Sequence, residues 1–293
     1  MKAAFLADRG IVKVAGEDAR GFLNNLVSGN VLLVRPGLAV YAALLTPQGK
    51  IVVDGLVSEI PAGAGGGFLI DCPRALVPQF IAKLGLYKLR AKIEIADLSD
   101  DLGVLALWDG LNAPDMDLAY ADPRTDRLGW RVLLPENLTD KALIFLEAEK
   151  RSARDYESHR IALGVPRGGL DFAYGDAFPH EANMDRLHGV DFDKGCYIGQ
   201  EVVSRMEHRG TARTRILRFI SDGPSPEPGI AIVAGDKTIG TSGGFIEGHG
   251  LGLVRIDRLA QALGEGAQLS AGNIAMRVHP EDLTWLPQGG DAA

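Results

Sequence analysis

The stretch Lys194-Gly195-Cys196-Tyr197-Ile198-Gly199-Gln200-Glu201 decides how the rest of the chain is interpreted. Cys196 stands between two glycines, which let the backbone turn sharply and let a ligand approach closely. A cation two residues before a thiol favours the thiolate when both face the same way. The alternative is that Cys196 is a small buried apolar residue, which is the usual fate of a free cysteine.

Other segments of the chain carry related patterns, before and after this stretch. They are Val14-Ala15-Gly16-Glu17-Asp18-Ala19, Leu44-Leu45-Thr46-Pro47-Gln48-Gly49-Lys50, Arg160 with Gly164-Val165-Pro166, Pro179-His180-Glu181-Ala182-Asn183, and Arg205 with Arg209-Gly210. Together with the eight-residue stretch they resemble the YgfZ-type folate-binding proteins, which support iron–sulfur cluster assembly. That family shares a superfamily with the glycine-cleavage T-protein, a tetrahydrofolate-dependent aminomethyltransferase. The resemblance covers most of residues 1–210.

The resemblance implies a site for tetrahydrofolate or a derivative. Glu181 aligns with the pterin-binding glutamate of the T-protein, and a carboxylate can accept the paired donors of a pterin ring. The anionic glutamyl tail suits cations, and the ring system suits an aromatic wall. The candidate folate-binding residues are Glu181, Asn183, Tyr197, Gln200, Glu201, Arg205 and Arg209, with Lys194 a further candidate for the tail. In the alternative interpretation Glu181 caps a helix or pairs with Arg186, and the arginines are solvated.

One departure from the T-protein concerns its catalytic aspartate. The matching strand here is Phe68–Cys72, and the next carboxylate after it is Glu94. Asp71 precedes the expected position and would have to move to serve, because a general acid or base must lie within hydrogen-bond distance of the transferred group. This departure disfavours aminomethyl transfer, so the resemblance leaves the chain's status as an enzyme open.

The sequence therefore predicts a folate-binding accessory factor for iron–sulfur proteins or their assembly factors, with [4Fe–4S] enzymes that modify tRNA among its clients. Cys196, with Lys194 beside it, is the predicted functional group, as a redox or sulfur-handling thiol or a transient ligand. The alternatives are a tetrahydrofolate-dependent aminomethyltransferase or demethylase, and an interaction protein with a vestigial pocket.

Composition limits the remaining classes of function. The net charge is −7, with no basic run, which argues against direct nucleic-acid binding. The two cysteines, Cys72 and Cys196, cannot supply the four thiolates of an iron–sulfur cluster, so a partner is implied. The cysteines lack CxxC spacing, and the spacing of His180, His188 and His208 suits no common zinc motif, so no metal site is predicted. We expect a cytoplasmic monomer, because the sequence shows no signal peptide, transmembrane segment or exposed apolar stripe.

The hydrophobic pattern of the C-terminal region is typical of a small all-β barrel or sandwich, and the resemblance implies the barrel. We therefore expect an α+β fold, with antiparallel sheets and packed helices, followed by a small C-terminal β-barrel. Strands alternate with helices up to about residue 210, and short strands separated by Gly and Pro follow. A hairpin is predicted around Pro47-Gln48-Gly49, and a helix is predicted to start at Ser152, with Asp155 completing a capping box. The predicted domains are 1–210 and 211–286, with a disordered tail over 287–293.

Overall fold

The computed structural model describes residues 1–61, 66–110, 112–210 and 212–287. The chain divides into two compact units, and each unit combines two separate segments of sequence. The first unit contains Met1–Tyr156 and Asp185–Val202, and the second contains Glu157–Met184 and Val203–Ala293. The boundary near residue 211 stays a prediction. The predicted disordered tail lies outside the described residues from position 288 onward.

The predicted hairpin belongs to an antiparallel sheet of the first unit. The strands of this sheet are β2 (Arg9–Ala15), β3 (Val40–Leu45), β4 (Ile51–Glu59), β5 (Phe68–Pro73) and β6 (Glu94–Asp97), in the order β3-β4-β5-β2-β6. At the hairpin turn, the Gly49 amide donates to the Thr46 carbonyl at 2.8 Å. Gly49 has φ 82°, a left-handed conformation that glycine adopts without strain.

A second sheet of the first unit contains the strands that the sequence analysis mostly missed. Its strands are β1 (Lys2–Phe5), β7 (Gly103–Trp108), β8 (Ala119–Ala121), β9 (Trp130–Leu134) and β10 (Glu149–Lys150), in the order β10-β1-β7-β9-β8. The sequence pattern predicts a strand at Val104–Trp108, which matches β7, and all residues of β7 are buried. The missed strands are short, and β9 is buried at four of its five positions, so they lack the alternation that marks a half-buried strand.

Helices also lie in the first segment of the first unit, and the last of them ends in the sequence of the second unit. They are α1 (Ala19–Leu26), α2 (Val77–Lys88), α3 (Thr139–Phe145) and α4 (Ala153–Ala162). Helix α1 buries Ala19, Leu23 and Leu26 against the core formed with the strand residues Val12 and Val14. The capping box of α4 is confirmed, because Asp155 accepts the Ser152 amide at 2.8 Å and the Ser152 hydroxyl accepts the Asp155 amide at 3.2 Å.

The second unit contains a closed antiparallel barrel. Its strands are β11 (Thr214–Ser221), β12 (Ala231–Ala234), β13 (Lys237–Ile246), β14 (His249–Arg255), β15 (Leu269–Ala271) and β16 (Ile274–Val278), in the order β11-β14-β13-β12-β15-β16. Pairing of Phe219 with Val278 closes the barrel between β11 and β16. The predicted α+β fold with a C-terminal barrel is therefore confirmed.

Two further helices were not predicted: α5 (Gln200–Arg209) follows the Cys196 stretch, and α6 (Ile256–Gly264) interrupts the barrel strands. Helix α6 packs Ile256, Leu259 and Leu263 on the barrel core at helical spacing. The frequent Gly and Pro residues of this region indicate turns, so the segments between them are interpreted from sequence as short strands and the short helix is missed. Among the described residues, no helix is both long and apolar enough to cross a membrane.

Candidate functional site

The loop over residues 189–199, here called the cysteine loop, presents Cys196 to solvent. The Cys196 thiol is exposed, whereas the other thiol, Cys72, is buried in β5. Burial raises the pKa of Cys72 to about 12, so this thiol stays protonated at neutral pH. The structure thus excludes the interpretation of Cys196 as a buried apolar residue.

Lys194 holds the cysteine loop on the end of helix α1. Its Nζ donates to the backbone carbonyls of Asn24 at 2.7 Å, Val27 at 2.8 Å and Gly29 at 2.6 Å. These carbonyls lie in the last turn of α1 and just beyond it, where backbone acceptors lack intrahelical partners. Burial lowers the pKa of Lys194 to about 8, and the Asp191 carboxylate offsets part of that effect. The predicted roles of Lys194 beside the thiol or the folate tail stay predictions.

Ser28 fixes the start of the cysteine loop. Its hydroxyl donates to the Gly189 carbonyl at 2.5 Å, and its carbonyl accepts the Asp191 amide at 3.0 Å. The Asp191 carboxylate then accepts the amides of Asp193 at 2.8 Å and Lys194 at 2.9 Å. These bonds connect the loop to the segment that links α1 with β3.

Ile198 and Gly199 fix the end of the cysteine loop. Ile198 packs against the core of the first unit. Gly199 has φ 80°, and a Cβ atom there would lie 2.6 Å from the Thr46 carbonyl oxygen and 3.1 Å from the Gly49 Cα. Only glycine therefore fits against the hairpin turn. Cys196 lies between these two anchored ends.

Tyr197 points into the protein while its neighbour Cys196 is exposed. The Tyr197 ring lies 5.3 Å from Lys194 Nζ, which is a cation–π distance. Burial raises the pKa of Tyr197 to about 12. Among the described residues its buried hydroxyl has no hydrogen-bond partner. The role of Tyr197 as an aromatic wall for folate stays a prediction.

The predicted folate ligands Glu181 and Asn183 lie in a compact turn of the second unit. The Glu181 carboxylate accepts the Phe178 amide at 2.9 Å, a contact within the turn and not the helix cap that the alternative interpretation gave it. Asn183 has φ 57°, and its Nδ2 donates to the Ile216 carbonyl of β11 at 2.8 Å. Its Oδ1 is buried without a partner among the described residues. Asn183 thus offers an unused acceptor.

Helix α5 carries the remaining predicted site residues. Gln200 is half-buried at its first position, and Glu201, Arg205 and Arg209 are exposed. Arg205 and Arg209 are one helical turn apart, so their side chains share one face. Their predicted contact with a glutamyl tail stays a prediction.

The segment before the site is held by Arg160. This buried guanidinium donates to the Val165 carbonyl at 2.9 Å and to Asp171 at 2.7 Å. Asp171 also accepts the Gly244 amide of β13 at 2.7 Å. Arg160 therefore fixes the turn over Gly164-Val165-Pro166 within the second unit.

Asp71 belongs to a buried network that the sequence analysis missed. Its carboxylate accepts Arg9 Nε at 2.5 Å, Arg131 Nη1 at 2.5 Å and the Tyr120 hydroxyl at 3.1 Å. Burial alone raises the pKa of Asp71, but the two guanidiniums outweigh it and hold the pKa below its usual range. Asp71 is fully buried, so its carboxylate is not accessible to a substrate in this conformation. It would have to move to act in aminomethyl transfer.

The network extends from Arg131 to the neighbouring strands. Arg131 Nε donates to Asp122 at 3.0 Å, and Arg131 Nη2 donates to the Tyr156 hydroxyl at 3.1 Å. Asp122 also receives Arg124 Nη2 at 2.7 Å. The network joins β2 and β5 of one sheet to β8 and β9 of the other. The signal for it was present in the sequence, as single opposite charges inside the apolar strands that contain Asp71 and Arg131.

The fold and the cysteine loop together define a class of protein: an aminomethyltransferase-like chain with an exposed, anchored thiol. A solved structure of the glycine cleavage system aminomethyltransferase T from Bartonella henselae matches the fold with a TM-score of 0.72 at 16% identity, over 95% of this chain and 84% of that chain. Residues 213–288 match the family described as CAF17, C-terminal beta-barrel domain.

Relatives with similar sequences narrow this class to one family. The iron-sulfur cluster assembly factor IBA57 of Mus musculus, described as mitochondrial, is 32% identical over 84% of this chain and 74% of its own length. A homologue from Mycosarcoma maydis is 36% identical over 78% of this chain. The chain belongs to the IBA57 family of iron–sulfur cluster assembly factors. It spans about 60% of the length of the fungal relatives from Mycosarcoma maydis and Coccidioides immitis.

The prediction of a cytoplasmic protein is wrong by this comparison. The mouse, human and Mycosarcoma maydis relatives are all described as mitochondrial. That prediction rested on the missing signal peptide and transmembrane segment, and neither feature distinguishes the cytoplasm from an organelle interior.

Proposed function

We propose that this chain acts in iron–sulfur cluster assembly, in partnership with the mitochondrial assembly machinery, and that its Cys196 thiolate contacts the cluster. The observation that carries the proposal is the exposure of Cys196 in a loop anchored at both ends, while Cys72 is buried. Thiolates are the usual ligands of iron–sulfur clusters. The names of the IBA57 relatives give independent support.

A single thiolate makes Cys196 a shared ligand. A cluster needs about four protein ligands, so a partner supplies the others. In the exchange, the Cys196 thiol releases its proton to solvent and its sulfur bonds to iron. The displaced partner thiolate leaves the iron and takes up a proton, and no electron is transferred. The client proteins that we propose include [4Fe–4S] enzymes that modify tRNA.

Binding of tetrahydrofolate or a derivative is the finer part of the proposal. The aminomethyltransferase-like fold supports it, as does the chemistry of Glu181 and Asn183. Glu181 accepts one backbone amide, and a carboxylate has capacity for further donors such as those of a pterin. The buried Oδ1 of Asn183 suits another donor. Arg205 and Arg209 would meet the anionic tail. The confinement of Asp71 in ion pairs counts against aminomethyl transfer as the activity.

Uptake of a glutathione-ligated [2Fe–2S] cluster tests the role of Cys196. The wild-type chain, Cys196→Ala and Cys72→Ala are each mixed anaerobically with the cluster and separated from free reagents. Visible circular dichroism and iron content are then measured. We expect cluster on the wild type and on Cys72→Ala, and none above the protein-free background on Cys196→Ala. Equal uptake by both variants, or none by the wild type, would contradict the proposal.

Calorimetric titration of 5-formyl-tetrahydrofolate tests the folate part separately. We expect saturable binding that weakens in Glu181→Ala and persists in Cys196→Ala, because the carboxylate and not the thiol accepts the pterin donors. Absence of binding to the wild type would reject the folate part and leave the cluster part standing.

A further inference from the structure

We propose that Lys194 is a positioning residue that clamps the cysteine loop to the end of helix α1 and so holds the Cys196 thiol in place for a shared cluster. The proposal rests on the proposed function of Cys196. It assigns Lys194 a task distinct from activating the thiol or binding an anion.

The hydrogen bonds of Lys194 carry this inference. An ammonium has three N–H donors, and those of Lys194 go to the three carbonyls of Asn24, Val27 and Gly29 at 2.6–2.8 Å. No N–H is left to donate to a thiolate or to a ligand. The side chain is also buried, with 9% of the residue exposed, so the ammonium is committed to the protein.

The acceptors explain why a lysine occupies this position. The C-terminal turn of a helix has carbonyls without intrahelical partners and a partial negative charge, which a cation satisfies. Three convergent carbonyls match the tetrahedral ammonium. The planar guanidinium of arginine has a different donor geometry, and glutamine has only two donors.

The surroundings of Cys196 explain why a clamp is needed. Gly195 separates Lys194 from Cys196, and a Cβ atom at Gly195 would meet nothing within 4 Å. Gly195 has no side chain to restrain its backbone, and glycine has wide conformational freedom. Lys194 on one side and Gly199 on the other therefore define the position of the thiol.

Asn24 shows that this clamp is connected to the rest of the fold. Its backbone carbonyl accepts Lys194, while its side-chain Oδ1 accepts the Val31 amide at 3.1 Å. Arg20 of the same helix donates to the carbonyls of Val31 at 3.0 Å and Val34 at 3.1 Å. Asn24, one of the three acceptors of Lys194, thus belongs to helix α1, which further hydrogen bonds connect to Val31 and Val34.

Three measurements on Lys194→Met, Lys194→Arg and the exposed control Lys83→Met test the clamp. They are hydrogen exchange of the amides at 189–199, the pH dependence of Cys196 alkylation by iodoacetamide, and uptake of glutathione-ligated [2Fe–2S] cluster. We expect both Lys194 variants to lose exchange protection in the loop and to take up about tenfold less cluster, the size of effect seen when residues that orient ligands are removed. The midpoint pH of alkylation should match the wild type.

Two results would overturn the proposal. One is unchanged exchange protection at 189–199 in Lys194→Met. The other is an alkylation midpoint that rises in Lys194→Met and returns in Lys194→Arg, which would show that the charge activates the thiol. If Lys194→Met does not fold, Lys194→Gln retains two donors and is judged by the same readouts. A wild type that takes up no cluster rejects the proposed function of Cys196, while exchange and alkylation still decide the clamp.

Discussion

The network around Asp71 and the cysteine loop around Cys196 use charge in opposite ways. In the network, buried carboxylates and guanidiniums pair with one another, and Asp71 has no exposed surface. In the loop, the buried ammonium of Lys194 donates to backbone carbonyls, and the thiol of Cys196 is exposed to solvent. The Asp71 carboxylate of the network is therefore inaccessible to a ligand, whereas the thiol of the cysteine loop is accessible.

This difference bears on how the fold is used. The sequence likeness to an aminomethyltransferase directs attention to an aspartate near the end of β5. The carboxylate found there, Asp71, is committed to Arg9 and Arg131 and ties two sheets together. The thiol exposed on the surface is instead that of Cys196. The predictions below test each half of this comparison.

The largest effect is expected from Asp71→Asn, which removes the carboxylate that pairs with Arg9 and leaves Arg131 paired with Asp122 alone. Removing one partner of a buried ion pair costs about 3–5 kcal/mol. We expect the free energy of unfolding, measured in urea, to fall by that amount. Asp100→Asn is the matched control, because Asp100 is 96% exposed although it also pairs with an arginine. A loss for Asp71→Asn no larger than that of the control would show that the network does not stabilise the fold.

Gly199→Ala is expected to have the next largest effect. The added Cβ would meet the Thr46 carbonyl, and φ 80° is strained for alanine, at a cost of about 1–3 kcal/mol. Gly85→Ala is the control, because Gly85 lies in α2 with nothing within 4 Å, and alanine there favours the helix. The midpoint temperature of thermal unfolding should therefore fall in Gly199→Ala and rise in Gly85→Ala. A neutral Gly199→Ala would remove the hairpin turn as an anchor of the cysteine loop.

Acid should weaken the buried network around Asp71. Asp71 and Asp122 have pKa values held below the usual range, whereas an unfolded aspartate has a pKa of about 3.9. Below about pH 4 the unfolded state therefore binds protons first, and the stabilisation present above that pH is lost as pH falls. Urea midpoints between pH 5 and pH 2.5 should drop more steeply for the wild type than for Asp71→Asn. Parallel slopes would contradict the pairing of Asp71.

The sequence predicted the fold where patterns were long and regular. The helix with Leu23 and Leu26 at helical spacing, the hairpin around Gly49 and the barrel strands are all present. It failed at β1, β8 and β9, which are short, and at α6, whose periodicity was masked by the surrounding glycines. Such elements are stabilised by tertiary packing more than by local pattern, so a single sequence gives little signal for them.

Prediction of the site was uneven for a different reason. The motif predicts an accessible thiol at Cys196, and Cys196 is exposed. The close approach of Gly199 to the hairpin turn is the physical reason for glycine at that position. The three acceptors of Lys194 lie 165–170 residues away in sequence, so no local pattern could reveal them. The same is true of the partners of Asp71, which are 49–62 residues away.

The smallest effect on stability is expected from Cys196→Ser, because an exposed side chain contributes within about 0.5 kcal/mol. Cys72→Ser places a hydroxyl in an apolar strand and should cost about 1–3 kcal/mol. Titration with an aromatic disulfide sharpens the contrast. In the folded wild type one protein thiol should react quickly, and the other protein thiol should react only in denaturant. Since the pKa of Cys72 is raised to about 12, the fast thiol is Cys196, and Cys196→Ser should abolish the fast phase. A fast phase that survives in Cys196→Ser would show that the β5 region opens in the folded protein, and the distinction between a closed network and an open loop would then fail.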